Sequence, residues 1–233
     1  MHLARPTGFA SEWLLALVSI CGRYRIGIGS YVRIEAHGRD RLAPFPFLLC
    51  SNHASHLDYI ALIEALGISH DQIIAIAAED FHFDLSMRSR LLRRLFNLAP
   101  IERAASPESV RNCVRTCRDF VDRGGKVVLI YPEGTRTRDG SIGPFKNGFA
   151  LIASMLNLPL VPAYIDGTYR LFSRHHIFPR PGVIDVRFGE TIVLDRSGGA
   201  AARRFGIQEA KALARQVEQS IRALAGETRA DRA

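Results

Sequence analysis

Apolar positions along this chain fall into two kinds of run. Residues 45–50, 73–78, 126–131 and 160–165 are short, nearly unbroken apolar stretches rich in Val, Ile, Leu and Phe. Runs of that length without polar alternation fit strands buried on both faces of a sheet. A fifth run, 183–194, is interrupted by Gly189. Between these runs lie segments with helical spacing, at 57–66, 87–96, 107–123 and 145–156. Pro107 behind Ser106 reads as a first-turn proline after an N-cap, and Gly124-Gly125 closes that helix. A last amphipathic helix is predicted over 207–224, following the Gly198-Gly199 break, with 226–233 as a frayed tail. Strands alternating with helices of this size predict an α/β fold. The expectation is one domain over 31–225, with a mixed, largely parallel sheet flanked by helices.

The N-terminal segment 1–30 stands apart. Residues 13–21 are a nine-residue apolar run, bounded by Trp13 and followed at once by Arg23 and Arg25. A spanning helix needs about 20 apolar residues, so this run is too short to cross a bilayer. No small-x-small cleavage site follows it, and Ile20 spoils a lipobox before Cys21. The tryptophan at one end and the arginines at the other favour a helix lying in the membrane interface, with a core helix as the alternative.

Charge adds a second constraint. The 233 residues carry 31 basic against 23 acidic side chains, a formal charge of +8, and 28 of the basic ones are arginine. With 47% hydrophobic and 23% charged residues, disordered, collagen-like and coiled-coil classes are excluded. The surplus implies an acidic partner: nucleic acid, an anionic membrane surface or a phosphate-bearing ligand. Arginine suits bidentate recognition of phosphate, although GC-rich coding bias gives the same composition. In the predicted helix 87–96, Arg88, Arg90, Arg93 and Arg94 alternate with Leu91, Leu92, Leu95 and Phe96. That pattern fits a basic amphipathic helix on a membrane surface, or a solvated face over a core stripe. The aromatic and basic residues Phe172, His175, His176 and Phe178 suggest no role. No RNA motif or helix-turn-helix accompanies the charge, which argues against nucleic acid. The cysteines Cys21, Cys50, Cys113 and Cys117 lack C-x-x-C spacing. They read as neither a disulfide framework nor a zinc site, with Cys113 and Cys117 as helix packers in a reducing compartment.

The chemistry-bearing segments follow two of the apolar strands. Ser51-Asn52-His53-Ala54-Ser55-His56-Leu57-Asp58 follows the run 45–50 and opens a helix. Loops at the carboxyl ends of strands are where open α/β sheets bind ligands. Five residues on an ideal helix turn through about 140°, so His53 and Asp58 cannot share one helical face. They meet only if His53 sits in the loop and Asp58 in the first turn, pointing back. Asp58 would then hold one ring nitrogen and leave the other as a general base. An Asn/Ser/Asp capping cluster with incidental histidines fits the same residues. A metal site does not, because Tyr59 stands where the ligand after His56 and Asp58 should be.

The second segment, Lys126 through Arg136, runs from a buried strand into Pro132-Glu133-Gly134-Thr135-Arg136. Backbone N–H groups in that sharp exit, beside Arg136, form a candidate anion cradle. It lacks the glycine and Ser/Thr pattern of a P-loop, and no G-x-S-x-G elbow is present.

These segments together resemble the glycerolipid acyltransferase family, which includes the lysophosphatidate acyltransferases. Four blocks match in order: Asn52-His53 through Asp58; Pro100-Ile101-Glu102-Arg103; Pro132 through Arg136, continued by Asp139-Gly140 and Phe145-Lys146-x-Gly148; and Leu158-Pro159-Leu160-Val161-Pro162. The resemblance implies His53 as catalytic base and Asp58 as its partner. It places Arg103, Glu133, Gly134, Thr135 and Arg136 on the acceptor phosphate, with no bound cofactor or metal. The implied reaction moves an acyl chain from an acyl thioester (acyl-CoA or acyl carrier protein) to a lysophospholipid hydroxyl, without an acyl-enzyme. The expected acceptor is 1-acyl-sn-glycerol 3-phosphate, giving phosphatidic acid. A lyso-ornithine lipid, another lysophospholipid and glycerol 3-phosphate are the alternatives. Glu102, where the family often carries aspartate, leaves the headgroup open. Ser51 and Ser55 read as capping or positioning residues rather than nucleophiles. The implied location is peripheral, on the cytoplasmic face of an anionic membrane.

Overall fold

In the computed structural model the described residues are 32–78, 96–173, 176, 179–194 and 206–231. The interfacial segment 1–30, residues 87–95 of the predicted basic helix, His175 and Phe178 lie outside them.

Among the described residues seven strands form one sheet: β1 (Val32–His37), β2 (Phe47–Ser51), β3 (Ile73–Ala78), β4 (Leu98–Ile101), β5 (Val127–Ile130), β6 (Leu160–Asp166) and β7 (Gly182–Phe188). Their spatial order is β1-β7-β6-β2-β5-β3-β4. β6, β2, β5, β3 and β4 run parallel, while β7 is antiparallel to β6 and parallel to β1. The sheet is therefore mixed and largely parallel, as the alternation of strands and helices predicts.

Helices cover both faces, which is why the central strands read as unbroken apolar runs. Successive side chains of a strand point to opposite faces. Leu48, Cys50, Val128 and Ile130 accordingly join one core, shared with α2 (Pro107–Asp122), α3 (Gly148–Leu156) and α5 (Ile207–Ala230). Phe47, Leu49, Val127 and Leu129 join the other, under α1 (Leu57–Leu66) and the single turn α4 (Thr168–Phe172). In α2, Val110, Cys113, Val114, Cys117 and Phe120 form the buried stripe, so both cysteines pack as predicted. Ser106 caps this helix, its hydroxyl accepting from the Ser109 N–H, with Pro107 in the first turn.

Three elements escape the apolar pattern. β1 carries Val-Arg-Ile-Glu-Ala-His, of which only Val32 is buried, because it is an edge strand. β4 is four residues long and contains Pro100, which an edge strand tolerates. α4 is a five-residue turn. Helix α3 begins at Gly148 rather than 145, and Lys146 just before it donates its N–H to the Pro132 carbonyl. The run 183–194 pairs up to Phe188 and again at Ile192, which bridges Leu160. The register advances by one residue across Gly189, where a Cβ would stand 3.0 Å from Pro162 Cγ.

The C-terminal boundary at 225 needs correction. α5 continues through Gly226 to Ala230, where a frayed tail is expected. Glycine costs a helix interior about 1 kcal/mol relative to alanine, and tertiary contacts override it here. Thr228 is buried and its hydroxyl donates to the Leu224 carbonyl, while Asp231 pairs with Arg187 of β7.

Candidate active site

The parallel strands β6, β2, β5, β3 and β4 all end at one edge of the sheet, so the three charged sequence blocks emerge together. β2 delivers Asn52 and His53, its neighbour β5 delivers residues 131–136, and β4 delivers Glu102 and Arg103.

His53 sits in the loop and Asp58 is the second residue of α1, the one arrangement in which their spacing allows contact. His53 Nδ1 lies 2.9 Å from Asp58 Oδ2. The same oxygen accepts the Ala54 N–H at 2.7 Å and the Ser55 N–H at 2.9 Å. Asp58 is fully buried, and its negative charge at the start of α1 complements the helix dipole. A carboxylate on Nδ1 fixes the tautomer and directs Nε2, the other ring nitrogen, away from the dyad.

The loop backbone is held on both sides. The Asn52 side chain mimics a strand, donating to the Ile165 carbonyl at 2.9 Å and accepting the Ile165 N–H at 2.8 Å. The His53 N–H donates to Glu133 Oε1 at 2.8 Å, and its carbonyl accepts the Thr137 N–H at 2.8 Å. Ser55 Oγ accepts the Leu57 N–H and donates to the Phe172 carbonyl, tying α1 to α4. Ser51 Oγ donates to the Asn52 carbonyl. Both hydroxyls are buried and occupied within the loop, in agreement with a positioning role.

Glu133 is a working part of this frame. It is buried, with Oε1 on the His53 N–H and Oε2 on the Gly143 N–H at 2.8 Å. Burial pushes its carboxyl above the usual range, and the two amide donors offset only part of that rise. Both of its oxygens face backbone donors of the loop frame.

Gly134 follows in a left-handed conformation, φ +68°, closing a turn through its N–H to the Tyr131 carbonyl. A Cβ there would stand 3.0 Å from Lys146 Nζ. Gly134 and Thr135 are exposed and Arg136 is half-buried. The structure thus brings Lys146, part of the sequence block but not among the predicted site residues, against this turn. Beyond it, Asp139 organises residues 137–141, accepting from the Thr137 and Ser141 hydroxyls and the Ser141 N–H. These bonds hold its carboxyl down, at about 2. Tyr169 of α4 donates to the Arg138 carbonyl and anchors the loop.

Arg103 lies in an exposed turn after β4, at the same sheet edge but three strand positions from β2. Glu102 orders that turn, its N–H donating to Ser109 Oγ and its carboxylate accepting from Ser106 Oγ.

Asn52 and Tyr131 are site residues that charge and spacing did not reveal. Tyr131 lies parallel to the His53 ring, with centroids 3.9 Å apart and an interplanar angle of 13°. Its signal was the strand period, two residues beyond the inward-facing Leu129.

Comparison with known proteins identifies the family. The acyltransferase family model matches residues 33–166. The chloroplastic 1-acyl-sn-glycerol-3-phosphate acyltransferase BAT2 of Brassica napus is 30% identical over 148 residues, 63% of this chain and 41% of that protein. The 1-acyl-sn-glycerol-3-phosphate acyltransferase alpha of Mus musculus is 27% identical over 176 residues, 75% of this chain and 58% of that protein. The chain therefore spans about half the length of these relatives. The crystal structure of the 1-acyl-sn-glycerophosphate acyltransferase from Thermotoga maritima shares the fold, with a TM-score of 0.65 at 23% identity, covering 98% of this chain and 85% of that one. With the family model spanning more than half its length, the chain belongs to the acyltransferase family.

Proposed function

We propose that the chain transfers a fatty acyl group from an acyl thioester, acyl-CoA or acyl carrier protein, to the free hydroxyl of a lysophospholipid. The acceptor is 1-acyl-sn-glycerol 3-phosphate and the product phosphatidic acid. The observation that carries this reading is the His53–Asp58 contact at the carboxyl end of β2. Support comes from the relatives in Brassica napus and Mus musculus, both of them 1-acyl-sn-glycerol-3-phosphate acyltransferases.

The acceptor hydroxyl donates its proton to His53 Nε2 as its oxygen attacks the thioester carbonyl. Asp58 stabilises the imidazolium that forms. Collapse of the tetrahedral adduct breaks the C–S bond, and the leaving thiolate takes the proton back from Nε2. No acyl-enzyme intervenes. Arg136, and Arg103 from further along the sheet edge, bind the acceptor phosphate through charge-assisted hydrogen bonds. Gly134 and Thr135 bring the turn close to that phosphate. Glu133 acts one step removed, by holding the His53 backbone.

No helix among the described residues is long and apolar enough to cross a membrane. Peripheral attachment to the anionic cytoplasmic face, through segment 1–30 and the basic stretch 87–96, fits the +8 charge. Flotation with anionic and neutral vesicles tests this; equal binding to both ends the idea. The reaction itself is tested by mass-spectrometric product analysis. The panel holds 1-acyl-sn-glycerol 3-phosphate, glycerol 3-phosphate, a lyso-ornithine lipid and other lysophospholipids, each offered with acyl-CoA and acyl carrier protein. Phosphatidic acid formation that disappears in His53→Ala supports the reading. Turnover of only a non-phosphate acceptor overturns the arginine assignment, and turnover by His53→Ala overturns the base.

A further inference from the structure

The segment after β5 carries an aromatic ring whose placement follows from strand register. Cys50 of β2 pairs with Ile130 of β5, so Ser51 stands beside Tyr131, with His53 two residues further along. Leu49 and Leu129 face the α1 core, and the period of two carries Tyr131 onto that side with them. α1 supplies Asp58 from the same side. The imidazole is therefore bounded at one edge by Asp58 and across one face by the phenol ring, 3.9 Å away and nearly parallel.

We propose that Tyr131 is a positioning residue of the reaction: its ring is the platform on which His53 is oriented, and its π-face stabilises the imidazolium formed when the base takes the acceptor proton. The inference rests on His53 being the base. A cation within about 6 Å of an aromatic centroid is attracted by the ring quadrupole, most strongly where water is excluded. The stack also closes one face of the imidazole, leaving the Nε2 edge for the hydroxyl.

The ring does this work, not the hydroxyl. Tyr131 Oη is buried and has no hydrogen-bond partner among the described residues. Burial first, and then the Asp58 carboxylate, push the phenol well above its ordinary range, so it stays un-ionised. Among the described residues, the titratable groups brought against His53 are Asp58 from α1 and Tyr131 and Glu133 from the segment after β5. The ring substitutions below change only Tyr131.

The test compares Tyr131→Phe with 4-fluoro- and trifluorophenylalanine placed at the same position, which keep the ring's shape while draining its π-face. Tyr131→Phe is expected to retain kcat within about twofold and to melt no lower than the parent, since it deletes an orphaned hydroxyl. Trifluorophenylalanine is expected to lower kcat about three- to tenfold with little change in acceptor KM. The acid limb of the kcat/KM profile should move to lower pH by about half a unit to one unit, because a lost cation–π contact disfavours the imidazolium. Tyr131→Leu should lower kcat at least as far. A flat fluorination series, in a protein whose His53→Ala variant is inactive, overturns the role of Tyr131 alone. A Tyr131→Phe variant that loses activity also overturns it, by making the hydroxyl the working group. An active His53→Ala variant overturns the base assignment and the inference with it.

Discussion

The loop after β2 and the turn after β4 open onto the same edge of one sheet, yet they are built to different tolerances. Around His53, the peptide N–H, the carbonyl, one ring nitrogen and one ring face each meet a partner from α1 or the β5 segment. Arg103 sits in an exposed turn on an edge strand, ordered by its neighbour Glu102. The two strand ends are three spacings apart, about 14 Å. Proton transfer needs heavy atoms within about 3 Å, whereas an arginine attracts a phosphate from further away. Under the proposed mechanism, the buried polar contacts lie where position would decide the rate, and the exposed charge lies at the rim where reach would suffice.

The largest effects should come from the tight region. His53→Ala is expected to lower kcat about 10²–10⁴-fold with unchanged thermal stability, and Asp58→Asn to fall within the same range by unsettling the tautomer. Steady-state kinetics beside a melting curve check both. Near-parental turnover in either variant would erase the contrast between the two regions.

Glu133→Gln comes next. An amide offers one acceptor where the carboxylate offers two, so either the His53 or the Gly143 N–H meets another donor. An unsatisfied buried donor costs about 1–3 kcal/mol. The expected result is a lower Tm and a kcat reduced about tenfold or more, with acceptor KM little changed. A rise confined to KM would instead put Glu133 on the acceptor and move it into the looser region.

The same contrast explains what was legible in the sequence. Buried strands announce themselves, because a strand covered on both faces has no polar position to lose; helices 57–66 and 107–123 are legible from period and caps. Spacing alone limited His53 and Asp58 to one arrangement in which they could touch, since a five-residue separation excludes a shared helical face; that they form a pair was what the family resemblance implied. Edge elements such as β1 and the proline-bearing β4 carry little apolar signal, because half their surroundings are solvent. Glu133 is the instructive case at the site. Its motif is conspicuous, but whether a carboxylate faces a ligand or two backbone amides depends on residues 80 and 10 positions away, which no local pattern encodes. Tyr131 was hidden for a similar reason: its partner is set by the register of β2 against β5.

The arginines test the looser side. Arg136 leaves the strand adjacent to that of His53, and Arg103 leaves a strand three positions away. Losing a charge-assisted hydrogen bond costs about 1.5–3 kcal/mol, so Arg136→Ala should raise acceptor KM about 10- to 100-fold with kcat largely kept. Arg136→Lys should recover part of this, because lysine keeps the charge and loses the fork. Arg103→Ala should raise KM by a smaller factor, and high salt should shrink it further, as befits an exposed charge. The reverse order would mean that distance along the sheet edge does not grade the phosphate contacts.

The smallest expected effect belongs to Asp139, which is fully exposed yet organises the loop beside the Arg136 turn. Hydrogen bonds from Ser141 and then Thr137 hold its carboxyl down to about 2, below the ordinary aspartate range. Folding therefore favours the ionised form. The contribution is complete above about pH 4 and is lost as pH falls through the lowered value. The Tm of the parent should exceed that of Asp139→Asn by a small margin at neutral pH, and the margin should close as pH approaches 2. Because Tyr169 of α4 also anchors this loop at the Arg138 carbonyl, the substitution should leave kcat nearly unchanged and affect acceptor KM only slightly. A large fall in kcat would show that the loop positions the dyad as firmly as Glu133 does, and would carry the tight region out to Ser141.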